Sequence, residues 1–103
     1  MALARFGFIV SGSGLDPRIH RAEMSSPTFR MTVVGVSDPR RGAEVATRLA
    51  DEGVQLIELC GGFGPLGTAA VVAALGGRVP VGAVAYGPEA IASLASLFSE
   101  GSH

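Results

Sequence analysis

The sequence predicts an α/β domain of four β–α units, a compact parallel sheet flanked by helices. The arrangement is either an open, flavodoxin-like sheet or a half-barrel that assembly would complete. Two observations carry this expectation. Four short apolar runs recur, Ala2 to Val10, Met31 to Val36, Val54 to Cys60 and Val79 to Val84, each apolar on both faces, as strands covered on both sides are. After each run a capping residue precedes a proline: Asp16-Pro17, Asp38-Pro39, Gly64-Pro65 and Gly87-Pro88. Proline has a fixed φ and no N–H, which suits the first position of a helix.

The first helix, Pro17 to Met24, is the least supported, because it is short and lies in the long connection from Ser11 to Arg30. The second, Pro39 to Glu52, has an inner stripe of Ala43, Ala46, Leu49 and Ala50, charged residues outside, and Gly53 as its stop. The third, Leu66 to Leu75, has Thr68 as its one polar side chain. A helix apolar all round needs cover on every side, which points to a homo-oligomer formed through this segment. The fourth, Pro88 to Ser99, places Ile91, Leu94, Ala95 and Phe98 on one face with Ser93, Ser96 and Glu100 elsewhere, and reads as an ordinary outer helix with a serine-rich surface.

With 103 residues the chain makes one domain, 1–103, and its last three residues, 101–103, carry no structural signal. All eight basic residues are arginine, set against nine acidic ones. No basic stripe offers itself to nucleic acid. No run approaches the roughly 20 apolar residues of a membrane span. The single Cys60 excludes an intrachain disulfide, and the expected setting is reducing and cytoplasmic.

In a parallel sheet of this kind the strand C-terminal ends and the helix starts share one edge, where ligands bind. The stretch IELCGGFG, Ile57 to Gly64, falls there. Alternation puts Glu58 and Cys60 on one side of the third run. Glu58 is a candidate general acid or base, or a strand end that reaches water. Cys60 is a candidate nucleophile beside a helix start, or a small buried hydrophobe. Gly61, Gly62 and Gly64 allow the backbone to approach a ligand, and the following helix start favours an anion. Phe63 would wall the site or pack beneath it.

Ser11 opens SGSG, which lacks the third glycine of a dinucleotide fingerprint because Pro17 stands in its place. Asp38 is expected to cap the second helix. His20, with Arg21 beside it, could orient or protonate a substrate, and Tyr86 could line the same pocket. The scattered Cys, His and carboxylates make no metal-ligand pattern, and neither a metal nor a cofactor is expected.

Val33 to Asp38 (VVGVSD), Ile57 to Gly64 (IELCGGFG), Arg78 to Val84 (RVPVGAV) and Asp16 to Arg21 (DPRIHR) together resemble a family of small bacterial and archaeal proteins that is a domain of unknown function. The likeness runs from about Phe6 to Val84, and AYGPEAIASL after it departs from the pattern. It implies a shared fold and site without a substrate. The residues point to a small anionic or carbonyl-bearing metabolite as ligand, with lyase- or isomerase-type proton transfer by Glu58. The alternative is a non-catalytic binding, structural or regulatory subunit.

Overall fold

A computed structural model describes residues 2–99; the tail at 101–103 lies outside that span. Along the chain come β1 (Arg5–Ser11), β2 (Arg21–Ser25), β3 (Arg30–Val36), α1 (Gly42–Asp51), β4 (Leu56–Leu59), α2 (Gly64–Leu75), β5 (Val81–Ala83) and α3 (Ile91–Phe98). A short 3-10 turn leads into each helix, at Pro39–Arg41, Gly61–Phe63 and Pro88–Ala90. The strands form one open sheet in the order β2-β3-β1-β4-β5. Four of them are parallel and β2 runs antiparallel to β3 along one edge.

β2 corrects the first expected helix. After Asp16-Pro17 the chain makes a single turn, with the Ile19 and His20 amides donating to the Asp16 carbonyl, and then becomes a strand. Residues 21–25 alternate polar and apolar, Arg21 and Glu23 against Ala22 and Met24, which is the period of a strand. The Ser26 amide donates to the Phe29 carbonyl and closes the hairpin onto β3. The capping dipeptide therefore starts a turn, and residues 21–25 pair with the free edge of β3 instead of coiling.

This substitution decides which side of the sheet is covered. The connections β3 to β4 through α1, and β4 to β5 through α2, step in the same direction across the sheet. Right-handed crossovers then place both helices on one face, and α1 and α2 do pack against each other. The β1 to β3 connection steps the other way, so a helix in it would cover the opposite face. It holds β2 instead, and among the described elements no helix covers that face.

The core lies between the sheet and the two helices. Ile9, Val34, Ile57 and Leu59 point into it from the strands, Val45, Ala46 and Leu49 from α1, and Val71 and Leu75 from α2. The α1 stripe is thus shifted from expectation, with Val45 buried and Ala43 half-buried. α2 buries only Val71 and Leu75 and leaves Leu66 86% exposed. α3 lies at the outside, and none of its residues is buried.

The stops and starts follow local chemistry. Asp38 caps the turn before α1, its carboxylate accepting from the Arg40 amide. Gly53 has φ +98 and Gly76 φ +56, left-handed positions at which a glycine ends a helix without steric cost.

Candidate functional site

The C-terminal ends of the parallel strands gather Ser11, Cys60, Gly61, Gly62 and Tyr86. Cys60 is half-buried, packs against the core and accepts through Sγ from the Ser11 amide at 3.2 Å. A Cβ on Gly62 would sit 3.6 Å from both Cys60 Sγ and Ser11 Cβ. One on Gly61 would come within 2.9 Å of the Tyr86 ring. Glycine at 61 lets the exposed Tyr86 ring lie close over the loop, and a Cβ there would make that ring shift.

The turn Gly61–Phe63 hands the chain to α2 through Gly64, whose φ of +64 suits glycine alone. Phe63 points inward and is buried, with its ring against Gly42 of α1 and Gly67 of α2. It is packing beneath the loop, not a wall above it. The Thr68 hydroxyl donates to the Gly64 carbonyl at 2.7 Å and fixes the first turn of α2.

This helix start offers fewer donors than the glycines suggest. The Gly64 amide donates to the Gly61 carbonyl, and Pro65 has no N–H. The dipole remains, but the cradle for an anion is thin. Beside it lies a cleft of about 650 Å³. Gly61, Gly64, Pro65 and Thr68 line one side, and Tyr86 and Leu94 of α3 the other. Its walls are largely apolar, and Thr68 and Tyr86 are its hydroxyl-bearing lining residues.

Glu58 stands elsewhere. In register with Phe8 of β1 and Gly82 of β5, it projects from the sheet face opposite α1 and α2, half-buried. Its strand neighbours Ile57 and Leu59 point into the core, and the cleft wall does not include it. Among the described residues no arginine pairs with it.

His20 and Arg21 lie three strands away from Glu58, on β2's approach and on β2 itself. His20 borders a second cavity of about 360 Å³ with Leu15, Ile19, Val10 and Val33. Its Nδ1 accepts from the Asp16 amide at 2.8 Å, so the neutral ring carries its proton on Nε2. Arg21 is committed to the helix side of the sheet, where its guanidinium donates to both carboxylate oxygens of Glu52. That hydrogen bonding holds the Glu52 carboxyl below its ordinary value, against a smaller opposing effect of burial.

Two other carboxylates are depressed for structural reasons. The Arg18 side chain donates to Asp16 and brings it down to about 2, and Arg40 does the same to Asp38 in direction. Both act as turn caps. Among the described residues no group of three or more His, Cys, Asp or Glu could hold a metal ion. No described helix is long and apolar enough to cross a membrane.

Thr68, Pro65 and Leu94 border the cleft without having been signalled in the sequence as site residues. Thr68 was legible only as the lone polar group of its helix. Nothing in the local pattern brings Leu94 of α3 against α2.

The geometry defines a small α/β domain with a mostly parallel sheet, helices on one face and a cleft at the strand-end edge. The chain belongs to a family of unknown function, DUF6506, whose model matches residues 4–99. That match continues through α3, beyond the Phe6 to Val84 span of the motif likeness. No curated protein and no solved structure matches the chain.

Proposed function

We propose that the protein binds a small, largely apolar metabolite carrying a carbonyl or carboxylate group, in the strand-end cleft between α2, β5 and α3. The observation that carries this reading is the fit of Tyr86 over Gly61 beside an apolar cleft of about 650 Å³, a size suited to a small molecule. The Tyr86 hydroxyl would supply the donor to the ligand's oxygen. An anion gains from the α2 dipole as well, with less help from loop amides than three glycines first suggest.

Acid–base chemistry through Glu58, of lyase or isomerase type, requires the ligand to reach the opposite face of the sheet. The separation of Glu58 from the cleft supports binding without turnover as the leading reading. A purely structural or regulatory subunit is the second, favoured by the exposure of α2 and α3.

A thermal-shift panel of short 2-oxo acids, aldehydes, carboxylates and phosphates tests the proposal. A ligand at 100 times its Kd stabilises by about 2.7 kcal/mol, a rise of roughly 10–20 °C for a domain of this size. Gly61→Ala, which displaces the Tyr86 ring, and Tyr86→Phe should each weaken the shift. Under the binding reading Glu58→Gln leaves the shift intact and no product forms. A shift left unchanged by both variants, or no shift with any class, would reject the cleft as the site.

A further inference from the structure

Two apolar surfaces of this chain have no partner, and they complement each other. One is the sheet face opposite α1 and α2. Phe6, Phe8 and Val10 of β1 point to it, because Gly7 and Ile9 between them face the helices. Met31 and Val33 of β3 adjoin them in register, and Met24 of β2 extends the face, 69% exposed. Phe29 stacks on Phe6, with ring centroids 6.4 Å apart.

The other surface is α3. Its sequence, IASLASLF, carries no charge. Its apolar face needs cover, yet Ile91 and Phe98 are 65% and 61% exposed. An isolated helix of eight residues is also unstable in water, so cover is a condition of its existence.

The area agrees. The chain exposes 6537 Å², against about 5,400 Å² for a compact monomer of this mass. The excess is roughly 600 to 1,100 Å², the lower figure counting the five terminal residues outside the described span as fully extended chain. One partner's share of a standard interface is about 800 Å².

Charge decides between the ways in which two copies can meet. Packing one open sheet face on another would bury the Glu58 carboxylates of both copies in one apolar seam. α3, Ile91–Phe98, brings no carboxylate of its own to that seam. We propose that the protein is a two-fold dimer in which α3 of each copy lies on the open sheet face of the other. The cleft shares α3 with this interface through Leu94, and sedimentation without ligand reads the dimer separately from the ligand.

Sedimentation equilibrium of the full chain provides the test, with variants at exposed positions that leave the monomer's core intact. Wild type is expected to be a dimer. Phe98→Asp on α3 and Met24→Asp on the sheet face should each weaken it by about 100-fold, as a charge at an apolar anchor does. Leu66→Asp on α2 should leave it unchanged. Mixing the Phe98→Asp and Met24→Asp chains should restore association, because the heterodimer retains one unaltered helix-on-face contact. Circular dichroism of each variant checks the fold. A monomeric wild type, dissociation by Leu66→Asp alone, or no restoration on mixing overturns the proposal.

Discussion

Gly42 opens α1 directly against the ring of Phe63, and a Cβ there would run into that ring. Two effects oppose each other in Gly42→Ala. Alanine favours a helix over glycine by up to about 1 kcal/mol, while overlap with a packed side chain costs about 1–3 kcal/mol. Phe63 is 5% exposed and held by Gly67 from the other side, so it cannot swing away and the overlap wins. Urea denaturation should show Gly42→Ala destabilised by about 1–2 kcal/mol after the helix gain is subtracted. Adding Phe63→Leu should then cost less than it does alone, since the smaller side chain leaves room for the methyl. Strict additivity would mean that the two residues do not share this space. The same residue shows how far local reading goes. The glycines around Phe63 announce a tight loop, but the side chain turns inward because Gly42, some twenty positions earlier, leaves it a socket.

At the scale of elements, β2 is tied to α1 by the pair of Arg21 and Glu52. Arginine holds the folded carboxyl below its ordinary value, so the unfolded chain takes up the proton first as pH falls. The stabilisation is therefore complete above the unfolded carboxyl's range, about pH 4.3, and is lost as pH drops through the depressed folded value. Both side chains are more than a third exposed, which places the pair among surface ion pairs at about 0.2–1 kcal/mol. Glu52→Gln should lower the unfolding free energy by that amount at pH 7 and by almost nothing near pH 2, with the difference shrinking in high salt. A deficit independent of pH would assign Glu52 a packing role instead. This pairing also explains why β2 was hard to foresee. Asp16-Pro17 carries the signature of a helix start, whereas the strand after it is five residues long and exposed along its length. Its alternation of Arg21 and Glu23 with Ala22 and Met24 was visible, but pairing with β3 and reach to Glu52 are nonlocal. The parallel strands, α1 and the Gly53 stop were legible because each rests on a period or a cap within its own segment. Glu58 and Cys60 were correctly drawn to strand β4 and its end. Their neighbours were not, since strand order and the covered face depend on the whole connection pattern.

For the molecule as a whole, the open question in the sequence was what an apolar helix packs against. Periodicity shows that α3 has a face to bury and says nothing about which surface receives it. The described chain is long in one direction, with extents of 42 × 27 × 26 Å, and its radius of gyration of 14.3 Å exceeds the roughly 12.8 Å expected for a compact domain of this length. If a second copy supplies the cover, the stability of α3 belongs to the assembly and that of α1 to the monomer. Amide hydrogen exchange separates the two. α1 buries Val45, Ala46 and Leu49 within its own chain, so its amides should show the same protection at every protein concentration. α3 buries nothing in its own chain, and a helix that short has little stability of its own. Its amides should therefore exchange close to the unprotected rate below the dimer's dissociation constant and slow by at least about tenfold above it, following mass action. The Phe98→Asp chain should behave at all concentrations as the dilute wild type does. Protection of α3 that is already full in dilute solution would mean that the helix folds back onto its own sheet, and the open face would then be covered within one chain.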